Sequence, residues 1–246
     1  MASLICTEFW RCTQYDHMDQ PDQARGVPAP PLELPVDPGS PRTALPDPRS
    51  FACAPADIGR LMAARRTMRT YSPQPLSPLE LSFLLWSAQG VLSTDAGKTL
   101  RTAPSAGARH AFETIVLANN VSSLAPGLYR FVPTTHDLVA LSAEPTRIND
   151  LVDSFRNIVL ARSSAAVFIW VAVADRMTWK FGARGWRYLL LDAGHACQNL
   201  YLAAEAMGCG VCAIGAFNDA DMNTALGLDG TSQFVVYAAS IGHKPA

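Results

Sequence analysis

The stretch Tyr188-Leu189-Leu190-Leu191-Asp192-Ala193-Gly194-His195-Ala196-Cys197-Gln198-Asn199-Leu200-Tyr201-Leu202-Ala203-Ala204-Glu205-Ala206-Met207 decides the fold. Asp192 and Glu205 are its only full charges. A helix apolar nearly all the way round is buried on all sides. Its many small residues let a second helix approach closely, so it reads as a central core helix that also packs at an interface between copies. On such a helix His195 reads as a hydrogen-bonded core histidine, because no second histidine stands at metal-ligand spacing.

Outward from this helix the pattern alternates between periods of two and 3.6. Phe112 to Ala118 reads as a strand, and Leu128 to Val132 with Leu138 to Leu141 as a hairpin. Val167 to Ala174 is a strand apolar on both faces. Val211 to Ile214 and Phe234 to Ile241 are further strands, with a short helix from Asp219 to Leu226 between them. Ile148, Leu151, Val152, Phe155, Ile158 and Val159 mark one amphipathic helix. Ile58, Leu61, Met62 and Arg65 fit one face of an early helix. Another starts at Ser77, where Ser77 with Glu80 makes a capping box, Pro78 takes the first helical position, and Gly90 ends it. The sum is one α+β domain with a mixed, mainly antiparallel sheet flanked by helices, over residues 57–246. Before it, residues 1–56 form an arm. Pro28, Pro30, Pro31, Pro35, Pro38, Pro41, Pro46 and Pro48 predict an extended course there rather than helix or sheet. The arm is either a disordered tail or a strap on a partner subunit, anchored by Leu32, Leu34 and Val36.

Composition narrows the function. The 246 residues are 49% hydrophobic and 17% charged, below the usual quarter, which fits a surface partly buried against another chain. The 20 basic and 21 acidic residues give a net charge of −1, against a nucleic-acid footprint. The longest apolar run, Ala165 to Ala174, is half of what a membrane-spanning helix needs. No basic start precedes an apolar stretch, so no secretory signal is visible, and six scattered cysteines read as free thiols in a reducing cytoplasm.

Several motifs fail on spacing. Ala96-Gly97-Lys98-Thr99 resembles the end of a phosphate-binding loop, but its first glycine belongs at 92, which is leucine. Gly208-Cys209-Gly210 lacks the third glycine of a dinucleotide fingerprint and leaves a helix rather than entering one. Cys209 and Cys212 lack a second pair for zinc and precede a strand, so they read as structural thiols, and no metal is expected. Ser105 lacks the setting of an acyl-transfer nucleophile.

Three segments survive. Arg65-Arg66-Thr67-Met68-Arg69 is expected to close the first helix, with Arg65 and Arg69 on one face. Three guanidinium groups and a hydroxyl suit a phosphate and a polyol chain. Pro104-Ser105-Ala106-Gly107-Ala108-Arg109 is a small-residue turn whose backbone can approach a flat ligand. Ala213-Ile214-Gly215-Ala216 ends a strand where backbone N–H groups can face a heteroaromatic ring.

In this order, these segments resemble the nitroreductase family of FMN enzymes, and more closely its SagB-type dehydrogenase branch. The resemblance is carried by Arg65-Arg66-Thr67-x-Arg69-x-Tyr71, Leu84-Leu85-Trp86-x-Ala88-x-Gly90 and Arg101 to Arg109. It continues at Gly127-Leu128-Tyr129 with His136-x-Leu138, and at Gly185 to Leu200. With Leu45-Pro46-x-Pro48 it spans about 45 to 242. It implies a nitroreductase-like fold and an FMN-dependent homodimer with two sites at the subunit interface. By position, Arg65, Arg66, Thr67 and Arg69 would hold the phosphate and ribityl chain. Pro104, Ser105, Ala106 and Gly107 would reach the ring from the other subunit. Ile214 and Gly215 would place an amide near flavin N5, and Lys244 would add a phosphate contact. Members that oxidise azolines carry a Lys-Tyr pair where this chain has Lys180-Phe181. The lysine is present and the phenol missing, which puts azoline oxidation in doubt or shifts the proton work to Lys180, provided burial lowers its pKa, and water.

The function expected is hydride transfer from a heterocycle or related biosynthetic intermediate, a small molecule or peptide, alongside biosynthetic partner enzymes. The alternatives are an NAD(P)H-dependent reductase of nitro compounds or quinones, and a flavin-free scaffold of a modification complex.

Overall fold

The computed structural model of the chain describes residues 2–52, 57–95 and 97–245. In chain order the elements are α1 (Ala2–Cys12), β1 (Arg42–Ala44), α2 (Ile58–Ala64), α3 (Pro78–Gln89), β2 (Val91–Asp95), β3 (Lys98–Arg101) and β4 (Phe112–Ala118). Then come β5 (Gly127–Val132), β6 (Asp137–Ser142), α4 (Pro145–Asp153), α5 (Ile158–Ser163), β7 (Ala166–Val173) and α6 (Ala174–Phe181). The chain closes with α7 (Gly185–Ala206), β8 (Cys209–Ile214), α8 (Asp219–Leu226) and β9 (Gln233–His243).

One seven-stranded sheet runs β1-β6-β5-β4-β7-β9-β8, every neighbouring pair antiparallel. Among the described residues, parallel pairing is confined to two isolated bridges, Thr67 with Val211 and Leu76 with Val121. Alternation along β7 builds a core on each face of the sheet. Phe168 and Trp170 pack with Leu84, Leu85 and Leu200 of α3 and α7. Val167, Ile169 and Val171 pack with Leu151, Leu160 and Met222 of α4, α5 and α8. The capping box of Ser77 and Glu80 is formed, with Pro78 in the first turn and Gly90 at the end.

Five expectations change. The helix that was to run into the arginine cluster ends at Ala64, and Arg65 turns extended at φ −48°, ψ 124°. The cause is tertiary: the Met68 N–H donates to Val211 O at 2.9 Å, drawing residues 67–68 alongside β8. The single amphipathic helix of 148–159 is two, broken between Asp153 and Ile158, with Asn157 capping the second. Residues 91–95 and 98–101, on either side of the failed phosphate-loop motif, form the antiparallel pair β2 and β3. α7 is not buried on every side, since Leu190 and Leu191 are more than half exposed. His195 is accordingly no core residue, with half of its side chain exposed and Nδ1 3.9 Å from Asp192.

The arm is ordered against its own chain. Arg42–Ala44 joins the sheet beside β6, contrary to the expectation of no sheet there. A buried ionic knot fixes the preceding stretch. Glu113 Oε1 receives Arg176 Nη2 at 2.6 Å and the Leu34 N–H at 2.8 Å, while Arg130 Nη2 donates to the Leu34 and Pro35 carbonyls. Arg176 Nε reaches Pro31 O at 2.9 Å. Prolines cannot donate to a sheet, so side-chain cations satisfy the carbonyls that this stretch leaves open. Cys209 and Cys212 are free, buried, and belong to cores on opposite faces of β8, as residues three apart on a strand must. Cys53 lies outside the described residues.

Candidate functional site

α7 organises the site by gripping three loops from its own polar side chains. Near its start, Asp192 Oδ1 accepts the Ala106 N–H at 3.2 Å and so holds the turn at 104–108. About two turns later, Asn199 Nδ2 donates to the Thr102 and Ser87 carbonyls, each at 3.1 Å. Near its end, the Tyr201 hydroxyl accepts the Ala213 N–H at 2.9 Å and meets Thr67 Oγ1 at 3.2 Å. Burial holds the Asp192 carboxyl above the usual carboxylate range, and its Oδ2 is buried without a hydrogen-bond partner.

The first cluster forms around Tyr201. The Arg65 guanidinium lies over its ring, 5.3 Å from the centroid. Arg66 donates to the Ala63 carbonyl at 2.7 Å, and Arg69 is exposed close enough to Cys212 to oppose the rise that burial imposes on that thiol. Among the described residues no carboxylate pairs with Arg65, Arg66 or Arg69. Since Thr67 pairs with Val211, this segment runs beside the strand that ends in Ile214 and Gly215.

The second cluster gathers Pro104, Ser105, Ala106 and Gly107 with Lys180. Ser105 Oγ accepts the His110 N–H at 2.8 Å. Gly107 sits at φ +59°, and a Cβ there would lie 2.8 Å from Lys180 Nζ and 2.9 Å from Phe181 Cζ. Only glycine fits that contact without displacing both side chains. Beside it, Lys98, Arg109, Trp179 and Lys180 line a small cavity of about 170 Å³. The Phe181 ring meets Tyr188 edge to face at 4.8 Å, and the Tyr188 hydroxyl is turned to Arg184 Nε at 2.8 Å and Tyr15 at 3.3 Å.

The two clusters do not merge within one chain. Asp192 and Tyr201 are nine residues apart, which is about 13 Å along the axis and about half a turn round it. Lys244 lies at the other end of β8 from Ile214: its N–H donates to the Gly208 carbonyl at 3.2 Å, and its side chain and that of Met68, within the arginine segment, both face Gly210. Its ammonium is bound by Glu205 at 2.6 Å. Asp192, Asn199 and Tyr201 were missed as site-forming residues. Polar side chains at 192, 199 and 201 of an otherwise apolar helix were the available signal.

Comparison with known proteins agrees with this architecture. The sequence matches the Nitroreductase family over residues 62–243. A Methanocaldococcus jannaschii protein described as a nitroreductase is 33% identical over 166 residues, covering 68% of this chain and 82% of that one. A crystal structure from Anabaena variabilis, also described as a nitroreductase, superposes with a TM-score of 0.68 at 27% identity. It covers 85% of this chain, which spans only 42% of that longer one. Two likenesses are of fold alone. The E. coli microcin synthetase McbBCD complex, with truncated pro-MccB17 bound, gives 0.63 at 20% identity over 99% of this chain and 93% of that one. A Desulfovibrio desulfuricans nitroreductase in complex with FMN gives 0.57 at 18% identity over 78% of this chain and 89% of that one. Among the described residues, no helix is long and apolar enough to cross a membrane.

Proposed function

We propose that this chain, which belongs to the nitroreductase family of oxidoreductases, is an FMN-dependent dehydrogenase of the SagB type, acting as a homodimer on a heterocycle or related intermediate. One observation carries the reading: Thr67 pairs with Val211 of the strand that leads to Ile214 and Gly215, and among the described residues no carboxylate pairs with Arg65, Arg66 or Arg69. Guanidinium forks without carboxylate partners, next to a hydroxyl, fit a doubly charged phosphate on a polyol chain. FMN bound there would supply two-electron hydride chemistry.

The remaining work belongs to the protein. Arg65, Arg66 and Arg69 balance the phosphate charge, and Thr67 offers its hydroxyl to the ribityl chain. Tyr201 fixes the strand end from which Ile214 and Gly215 present backbone N–H groups. Pro104 to Gly107, held by Asp192, form a flat backbone surface. Lys180 Nζ, packed on Gly107, holds or accepts a proton at the edge of that surface.

Two features favour a dimer. The half-sites hang from opposite faces of α7, so a second copy supplies the half that one chain cannot bring to the other. α7 also exposes Trp186, Leu190 and Leu191, and the Cβ direction of Gly194 points into open space. Such an apolar, small-residue face suits close packing of the same helix from a partner.

One observation favours a second reading, an NAD(P)H-dependent nitro or quinone reductase. Position 181 is Phe, which cannot relay a proton, and Tyr188 beside it is occupied by Tyr15 and Arg184. Steady-state NADPH oxidation with a nitroaromatic acceptor would separate this activity from dehydrogenation with oxygen as acceptor. The test of the cofactor comes first. Purified protein should be yellow, with absorption near about 450 nm, the oxidised-flavin band. Arg65→Ala with Arg69→Ala should weaken FMN binding in a fluorescence titration. Unchanged affinity overturns the phosphate assignment, and colourless protein that takes up no FMN leaves the scaffold role.

A further inference from the structure

Beside the Gly107 half-site, Arg109 is buried, with 3% of its surface exposed, and among the described residues no carboxylate pairs with it. A guanidinium placed so deeply is almost always paired. The groups that hold Arg109 are neutral. Its Nε donates to the Arg176 carbonyl at 2.8 Å, and its Cζ lies over the Trp179 ring, 4.6 Å from the centroid. Both contacts fix its orientation, and neither cancels its charge. Burial first, then the charge of Arg176, holds its pKa below the ordinary value. Asp175 offsets this in part, but it is exposed and forms no ion pair with Arg109. The two terminal amino groups donate to no described residue, so the flat end of the fork is open.

Arg109 lines the cavity of about 170 Å³ together with Lys98, Trp179 and Lys180. Among the described residues no acidic side chain lines it, and neither Lys98 nor Lys180 has a carboxylate partner. The proline-rich arm forms one wall by clasping Trp179. The Trp179 carbonyl accepts the Gln23 N–H at 2.8 Å, and Trp179 Nε1 donates to the Val27 carbonyl at 2.7 Å. Gln23 and Ala29 complete the lining. Pockets that enclose a whole ligand hold about 300–1,000 Å³, so this one takes one end of a molecule. Lys180 is shared between the cavity and the contact with Gly107, so a molecule anchored here extends toward the turn at 104–107.

We propose that this cavity anchors a carboxylate of the substrate on Arg109, with Lys98 adding charge at the exposed side and Trp179 as the apolar wall. The substrate class is then a carboxylic acid whose reacting part lies over the turn at 104–107, an inference that rests on the flavin reading of that turn. The two coplanar oxygens of a carboxylate match the two open amino groups of the fork. Binding cancels a buried charge that the fold leaves unpaired, so the anion gains more here than at an exposed lysine. The arm thereby acquires a task within its own chain: its turn at 21–27 holds the wall against which the anionic end is seated.

The full-length protein, supplied with FMN, is titrated by isothermal calorimetry with benzoate and with benzamide, its neutral counterpart of the same shape. Benzoate should bind with a Kd below about 1 mM and at least about tenfold more tightly than benzamide. Arg109→Gln removes that preference, and Arg109→Lys, which keeps the charge and loses the fork, retains only part of it. Lys98→Gln, on an exposed side chain, lowers the preference about threefold. Equal affinity for the two probes, no measurable benzoate binding, or a preference that survives Arg109→Gln overturns the proposal. Inorganic phosphate that displaces benzoate at lower concentration than benzoate itself binds overturns the carboxylate assignment. Should Arg109→Gln fail to fold, Lys98→Gln decides, and an unchanged preference there overturns the proposal. Flavin content is read by absorbance in the same samples. Yellow protein without the preference overturns this inference alone, whereas colourless protein that keeps it supports the carboxylate site and overturns the flavin reading.

Discussion

Tyr201→Phe removes one oxygen and keeps the ring on which the Arg65 guanidinium rests at 5.3 Å. That oxygen has two tasks. It accepts the Ala213 N–H at 2.9 Å and meets Thr67 Oγ1 at 3.2 Å. Thr67 is exposed, so water replaces its lost partner at little cost. The Ala213 N–H is partly buried at the edge of the sheet against α7, and leaving it unpaired costs about 1–3 kcal/mol. For a chain of this size that lowers Tm by about 2–12 °C. Urea unfolding should show a lower midpoint with an unchanged slope, since the exposed surface is the same. The same bond fixes the strand end leading into Ile214 and Gly215. If about 1 kcal/mol of the loss is felt there, FMN affinity falls about fivefold. A stability change below about 0.5 kcal/mol refutes the hydrogen-bond assignment. Lower stability with unchanged flavin affinity refutes the claim that Tyr201 couples the fold to the cofactor.

Two further outcomes follow from buried charge. Glu113→Gln leaves Arg176, and with it Arg130, without a counter-charge in a site where all three side chains are under 10% exposed. Removing one partner of a buried pair costs about 3–5 kcal/mol. Limited proteolysis should also cut the 20–48 arm faster, because Leu34 and Arg176 lose the carboxylate that joins them; a change under about 1 kcal/mol with unaltered cleavage argues against the knot. His110 is buried beside Arg101 and Arg109, and burial first, with those cations second, brings its pKa from 6.5 to about 4. Its Nε2–H donates to the Thr99 carbonyl at 3.0 Å. The unfolded chain takes up this proton below about pH 6.5 and the folded chain only near about pH 4. Stability is therefore full above about pH 6.5 and falls by about 3 kcal/mol down to about pH 4. His110→Gln should flatten that limb of an unfolding-versus-pH series, and an unchanged limb assigns it to other groups.

Local rules made α3 and α8 legible. The capping box at Ser77, Pro78 and the terminal glycines act within one or two turns, and the observed ends follow them. The strands β4, β7 and β9 were legible for the same reason, since burial on two faces leaves a run of apolar residues. The arginine segment was not legible in shape. Its residue types were read as an anion site on a helix, while a single pairing with Val211, 144 positions further on, decided that it is extended rather than helical. The split at 154–157 and the exposed face of α7 were hidden alike, because periodicity reports which residues are apolar and not which of them find a partner in the same chain. Glu80 was read only as half of the capping box, Cys209 as a structural thiol and His243 not at all, because residues scattered over more than 160 positions carry no spacing motif. By itself, then, the sequence determined the α+β class, which rests on composition and local periodicity, and it pointed to the family through the resemblance of its ordered motifs. Only the tertiary structure decided that Tyr201 ties the arginine segment to the strand end, and that Cys209, His243 and Glu80 meet at one corner of the fold. Those are distances between residues far apart in the chain, and no local rule encodes them.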